Sequence, residues 1–391
     1  MTRLENHFSL NRILLLAIGL WPYEQSIFSR LQFILFSVIL MSAIVFQLTV
    51  FLTSTCTPDL ILKVSSTVLI FCVFLIKYIS LGFNVDSVKE LFTHLQYIHD
   101  ELKDKNEIAI TDEYGHNAKR CTAVLIMISM VGTCLFVVIH FWSDVLDVIF
   151  QINISRSHNL PIITEYFINQ EKYYYLILLH LGISTYIGFF ITLAIGTMLI
   201  TFFHYTCGVF RIASYRIKHS ITFNMIQNNR KNENLISKRI TYAVNIHRQA
   251  MMLSRCMVSR FQRMYCCLIL FGVIALSINL FRICQIASLK TPLKEIMMPF
   301  VVVVGSLVYM FTANYLGQDI TDHCKDVFLT AYNIQWYIAP LRVQSLILFL
   351  LQRGSTDFKV NIGGLFIPSL EGFAMLLKAS VSYCTVIYST R

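Results

Sequence analysis

Apolar residues follow one another without a charge over residues 33–52, and stretches of this kind recur along the chain. A membrane-crossing helix needs about 20 such residues, so each stretch predicts a span. The second, 60–83, carries Lys63 and Lys77, both close enough to its ends to extend toward water along their apolar stems. The third, 121–143, is uncharged apart from His140. The fourth runs from Tyr173 to Phe210, longer than a bilayer requires, and predicts a helix that tilts or continues into water. The fifth lies between Arg263 and Arg282, and the sixth extends from Ile296 to Gln318. Residues 343–352 are too few to cross. The apolar run after Arg12 is also too short and ends at Trp21-Pro22, where a secretory leader would need small residues. It predicts a helix lying at the interface, with Trp21 and Tyr23 at headgroup level. Between the spans, Val85, Val88, Leu91, Phe92, Leu95, Ile98 and Leu102 repeat at helical spacing, and Phe328, Tyr332, Trp336 and Tyr337 do so ahead of Pro340. Such stripes need a partner, either within the chain or on a second subunit.

The last stretch, SLEGFAMLLKASVSYCTVIYSTR (369–391), breaks the pattern. On a helix, Glu371, Lys378, Ser382, Thr385 and Ser389 share one stripe, and Phe373, Leu376, Leu377, Ala379 and Ile387 lie opposite. A lysine near mid-bilayer costs roughly 2.5–3.5 kcal/mol on insertion scales, so it should face water or an acid. Two arrangements satisfy this helix: a polar seam packed against a neighbour, or several copies around an aqueous pore.

Composition places the whole chain in the membrane class: 56% of its 391 residues are hydrophobic and only 14% are charged. The net charge of +10 does not point to nucleic acid, because the basic residues sit in loops between apolar runs. Counted by side, 22 Lys and Arg fall with the N-terminus and six fall opposite. The N-terminus is therefore expected in the cytoplasm, and seven spans then leave the C-terminus outside. The single N-x-S/T sequon, at Asn153, falls in a loop this topology places outside. A G-protein-coupled receptor has the opposite orientation, so no G protein is expected. Most of the eleven cysteines lie inside apolar runs as small hydrophobes. Cys56 and Cys284 end spans on the same side, and their pairing stays open. No HExxH, GxGxxG, Walker loop or CxxC occurs, and His94 and His99 are wrongly spaced for one helical face. No enzyme, cofactor or metal is expected. Gly363-Gly364 predicts a turn between helices.

The C-terminal residues Ser369-Leu370-Glu371, Phe373, Lys378, Ser380, Ser382-Tyr383 and Thr385-Val386 closely resemble the signature of insect odorant receptors. AYNIQWYIAP (331–340) is similar to that family's cytoplasmic anchor segment, NYLGQDITD (314–322) to its sixth-helix exit, and IGLWP (18–22) to its N-terminal motif. Cys384 stands where the family often has Phe. The resemblance implies a tetrameric, ligand-gated, non-selective cation channel in the plasma membrane of sensory neurons, with its pore lined by the seventh helices. It puts the hydrophobic gate on Val386 and the next inward position on Thr390, with Ser382, Thr385, Ser389 and Lys378 along the same pore face. The short connection 211–260 lacks the family co-receptor's long insertion, so the chain resembles an odorant-specific subunit that works with a co-receptor.

The family's ligand pocket lies in the outer half among helices two, three, four and six. Here that volume would be lined by Phe71, Phe74, Met130, Cys134, His140, Tyr174, Tyr186, Val302 and Tyr309, an apolar aromatic lining suited to small apolar volatiles. The expected fold is an all-α membrane protein with seven transmembrane helices. Residues 1–30 form a cytoplasmic N-terminus, 31–318 a six-helix bundle holding the pocket, 319–360 cytoplasmic anchor helices, and 361–391 the pore-lining seventh helix. A gustatory receptor is the nearest alternative, though its C-terminal Thr-Tyr and Gln-Phe signature is missing. A secondary transporter is a second alternative, without the internal repeats or broken helices usual in that class.

Overall fold

The computed structural model describes residues 3–149, 162–221, 229–289, 294–354 and 358–390, with side chains in the helix ending at Ile149 described as far as Gly132. Asn153, Cys134 and His140 therefore lie outside the described side chains. Among the described residues the chain is all helix, apart from short turns and one isolated bridge between Ile362 and Phe366.

Two short helices, α1 (Arg3–His7) and α2 (Ser9–Ala17), precede α3 (Ile27–Leu48), the single turn α4 (Val50–Thr53), α5 (Pro58–Phe83) and α6 (Val85–Asp100). Long helices follow: α7 (Lys105–Ile149), α8 (Tyr174–Lys218), α9 (Asn229–Leu289) and α10 (Lys294–Asn333). A 3-10 turn at Trp336–Ile338 leads to α11 (Leu341–Gly354), and α12 (Leu370–Ser389) ends the fold. The starts follow from local chemistry. Ser26 and Thr57 accept hydrogen bonds from the backbone N–H of Ser29 and Leu60, and Pro58 occupies the first turn of α5, where its missing N–H costs nothing. Pro340 separates the 3-10 turn from α11.

Six of these helices are long and apolar enough to cross a membrane, and α7 carries the third apolar run of the sequence. The chain is thus a multi-pass membrane protein. α8 is its axis, packing against α2, α3, α5, α7, α9 and α10. Its apolar window is 67% buried, whereas that of α12 is 11% buried. α12 and, at 17%, α10 are the spans whose surfaces the chain leaves least covered.

The end of the bundle that carries α1, α2 and α6 is closed by aromatic packing. Trp21 is buried, its ring 5.4 Å from that of Phe92. The Trp21 ring fills a site offered by the apolar stripe of α6, and Tyr23 beside it remains half exposed. Val88, Leu91, Phe92, Leu95, Ile98 and Leu102 are all buried, so this stripe finds its partner within the chain. The second stripe divides. Phe328 packs against the core and Trp336 against a smaller cluster that includes Ile236 and Val343, while Tyr332 and Tyr337 stay exposed, as do Leu329, Leu341 and Phe349 beside them.

Polar ties lock the layers at buried points. The Tyr78 hydroxyl donates to the Ile18 carbonyl at 2.8 Å, and Ser66 donates to Asn279 at 2.8 Å. Arg216 on α8 grips Glu107 on α7 through two hydrogen bonds of 2.7 and 2.8 Å, a fork geometry suited to carboxylates.

Candidate functional site

The approach to α12 is built by local rules. Gly363 and Gly364 take φ of +66° and +74°, and their turn lets Ile362 and Phe366 pair. This backbone conformation needs glycine. Ser369 then caps α12, accepting from the Gly372 N–H at 2.9 Å. Its own N–H donates to Asn314 Oδ1 at 3.2 Å, tying the start of α12 to α10. One turn along α10, Gly317 faces Pro368 so closely that an added Cβ would lie 2.5 Å from the Pro368 carbonyl oxygen. Two segments that look unrelated in sequence, 314–322 and 369–373, are therefore the two sides of one joint.

From this joint α12 presents two unlike faces. Phe373, Leu376, Leu377 and Ala379 pack on Val273 and Leu276 of α9 and on Val303 and Met310 of α10. Gly372 and Ser380 are buried on the same side. Glu371, Lys378, Ser382, Thr385, Val386, Ser389 and Thr390 are all exposed, with Val386 at 53%. The hydroxyls on this face turn back onto their own helix: Thr385 donates to the Ser382 carbonyl at 2.7 Å and Ser389 to the Val386 carbonyl at 3.0 Å. Among the described residues, these hydroxyls are not committed to any other helix. Cys284 and Cys56 do not pair; Cys284 instead contacts Cys384.

Aromatic residues expected to line a ligand volume fall into two groups. Phe71 and Phe74 are buried, their rings 5.8 Å apart and edge-on. Phe74 lies 5.4 Å from Phe189 and covers Gly188, where a Cβ would meet its ring at 2.0 Å. Tyr174 is buried and Val302 half-buried. Met130 and Tyr186 remain exposed, at 62% and 55%, with Tyr186 stacked on Phe190.

Tyr309 joins a residue the hydropathy pattern misplaced. Lys77 was expected to reach the water at the end of its span. Its side chain points inward instead, is 2% exposed, and sets its Nζ 3.8 Å from the centre of the Tyr309 ring. Nearby, the buried Tyr265 hydroxyl has no hydrogen-bond partner among the described residues. A desolvated cation on a ring gains about 2 kcal/mol, less than the several kcal/mol that burying an ion costs. An ionisable residue inside a membrane bundle is in itself a pointer to function.

A polar cavity of about 530 Å³ lies elsewhere, between α7, α8 and α10 at the end near α1. Arg211, Lys218, Glu113 and Asp326 line it, together with Tyr114 and His323. None of the residues expected to bind a volatile reaches it, and its charged wall does not suit an apolar ligand.

The comparisons bear on the whole chain. Two solved structures share its fold: that of the olfactory receptor OR5 from the insect Machilis hrabei, with TM-score 0.77 over 99% of both chains, and that of the same receptor in complex with eugenol, with TM-score 0.76 over 99% of this chain and 98% of the other. Each is 13% identical to it in sequence. No curated protein sequence matches. A family model described as 7tm Odorant receptor matches residues 57–381, which include the joint between α10 and α12 and most of the two-faced last helix. The chain belongs to the 7tm odorant receptor family.

Proposed function

We propose that the chain is the odorant-binding subunit of a heteromeric, ligand-gated, non-selective cation channel in the plasma membrane of sensory neurons. The observation that carries this reading is the exposed polar face of α12, opposed to a packed apolar face on the same helix. A helix apolar enough to span yet carrying Lys378 and a row of hydroxyls needs either water or a partner on that face. Four such helices around an axis supply the water. Val386 then forms the hydrophobic gate, with Ser382, Thr385, Ser389 and Thr390 on the pore wall and Lys378 farther in. The exposed apolar residues at the end of α10 and on α11 become the contact with neighbouring subunits.

In this reading the N-terminus and the α1, α2 and α6 end lie in the cytoplasm, as the asymmetry of Lys and Arg favours. The ligand is a small apolar volatile held in the outer half of the bundle, where Phe71, Phe74, Tyr174, Val302 and Tyr309 offer apolar surface at about 25 cal/mol per Å² buried. The joint at Asn314, Gly317, Pro368 and Ser369 gives α10 a mechanical hold on α12. The partner is a co-receptor subunit, and no G protein takes part.

The test is expression in cells lacking any family member, with and without a co-receptor, while odorant-evoked current is recorded. Current is expected only with the co-receptor. Robust current from the chain alone would overturn the heteromeric reading. A tag before Met1 reached by antibody in unpermeabilised cells would overturn the orientation.

A further inference from the structure

Cys207, Asp319 and His323 bring one thiol, one carboxylate and one imidazole to a single point between α8 and α10. Their ligand atoms all lie within 4.8 Å of one another. Cys207 Sγ is 3.5 Å from Asp319 Oδ2, and His323 Nδ1 is 3.2 Å from Asp319 Oδ1. Asp319 and His323 are one helical turn apart on α10 and so share a face. The thiol is fully buried, and its neighbours are half-buried. As a purely structural hydrogen-bond cluster this is a poor use of the groups, because a thiol is a weak donor.

As a donor set it matches a zinc-type ion. Zinc takes sulfur at about 2.3 Å and nitrogen or carboxylate oxygen at about 2.0–2.2 Å in a tetrahedron. Ligand atoms in such a tetrahedron are roughly 3.3–3.8 Å apart. The thiol and the imidazole each lie close to this range of a carboxylate oxygen of Asp319, the thiol to Oδ2 and the imidazole to Oδ1, and one ligand atom from each of the three residues falls within 4.8 Å of the others. Thiolate and carboxylate together neutralise a divalent ion, so the loaded centre carries no net charge into the bundle. Loading releases the thiol proton. His323 Nδ1 lies 2.8 Å from the Asp319 backbone carbonyl, which can only accept, so loading also requires Nδ1 to give up this bond and present a lone pair, with the proton moved to Nε2. Tyr114 Oη on α7 lies 2.8 Å from Nε2 and would then accept a hydrogen bond from the Nε2–H, the outer-shell contact that orients a metal-bound histidine. His323 and Tyr114 also wall the polar cavity, which provides the ion's way in.

We propose that Cys207, Asp319 and His323 form a site for a thiophilic divalent cation, of which zinc is the type. The ion pins α8 to α10 two residues beyond Gly317, next to the joint with α12. Neither the site nor its test depends on the channel reading.

The experiment titrates the purified full chain in detergent with cobalt(II), a spectroscopic stand-in for zinc, and follows thiolate-to-metal absorption. One equivalent is expected above the background of the other cysteines, displaced by zinc. Cys207→Ser and His323→Ala should each weaken binding at least about 100-fold, and Tyr114→Phe, which touches only the outer shell, about tenfold. Cys324→Ser, next to His323 in sequence, should leave binding unchanged. Zinc should raise the thermal inactivation temperature of the wild type and not that of Cys207→Ser. Where Cys207→Ser fails to fold, Asp319→Asn removes the charge at nearly constant volume and must show the same loss. Equal cobalt binding by the wild type, Cys207→Ser and Asp319→Asn would overturn the site, as would absence of any signal in the wild type.

Discussion

α10 carries two glycines whose replacement by alanine should push stability in opposite directions. A helix-interior Gly→Ala change gains about 1 kcal/mol where the methyl meets nothing. Gly305 is such a position, with no atom within 4 Å of an added Cβ. At Gly317 the same methyl would sit 2.5 Å from the Pro368 carbonyl oxygen, 2.6 Å from its Cβ and 2.7 Å from its Cγ. The obstacle is backbone and a rigid ring, so it cannot swing aside, and overpacking of this kind costs about 1–3 kcal/mol. Relief requires Pro368 to move away from α10, which also strains the 3.2 Å bond from Ser369 N–H to Asn314. The propensity gain offsets only part of this, leaving Gly317→Ala destabilised by up to roughly 2 kcal/mol and separated from Gly305→Ala by about 1–3 kcal/mol. Half-inactivation temperature in detergent, read by monodispersity after heating, reports the difference: Gly305→Ala at or above wild type, Gly317→Ala below it. The functional counterpart is the dose–response with co-receptor, where a displaced α12 start shifts gating. If Gly317→Ala proved as stable as Gly305→Ala, α10 and the start of α12 would not be in contact, and the joint would fall.

Glu107→Ala strands the Arg216 guanidinium among half-buried surroundings and should lower stability by roughly 3 kcal/mol, while the pair Glu107→Leu with Arg216→Met recovers most of it; equal stability of the single and double variants by thermal inactivation would refute the pairing's role. Lys77→Met removes a buried cation of similar volume and should keep surface expression at or above wild type, whereas Lys77→Glu should sharply reduce it; surface biotinylation decides, and loss with Met would mean the ammonium is held by more than the Tyr309 ring. Cysteine substitution along 382–390 in a Cys384-replaced background, probed with a charged thiol reagent, should block current with a helical period centred on 382, 386 and 389, and Leu376→Ala should lower expression instead; block without periodicity would leave the polar stripe as packing. Burial holds His7 below its usual pKa of 6.5 despite Asp112 3.8 Å away, so α1 docks with a neutral imidazole. Its docking should be undiminished above pH 6.5 and weaken as pH falls below that value, because the undocked state takes up the proton first; hydrogen exchange of residues 3–17 at pH 7.5 and 5.5 should show this in the wild type and not in His7→Gln.

Much of this protein is written in short-range terms. Charge-free runs of about 20 residues predict spans wherever they occur. Ser26, Thr57 and Ser369 start helices because a side-chain oxygen reaches an N–H three residues on. Gly363-Gly364 turns because both residues need positive φ. The two faces of α12 are legible too, since helical period alone separates Lys378 and Ser382 from Leu376 and Leu377. What periodicity does not carry is the identity of the neighbour. The stripes on α6 and at the end of α10 look alike along the chain, yet the first is covered throughout, while the second packs through Phe328 and Trp336 and leaves Tyr332 and Tyr337 bare. In a bilayer, lipid and protein interior are equally apolar, so hydropathy has no term that turns Lys77 inward or Met130 outward. Only packing places Nζ of Lys77 over Tyr309, seats Trp21 against Phe92, and brings Cys207 to Asp319 across 112 residues of chain. These contacts exist because α8 sits at the centre of the bundle and forces distant helices onto its surface, a choice made by the summed packing of all the helices and by no single stretch of sequence.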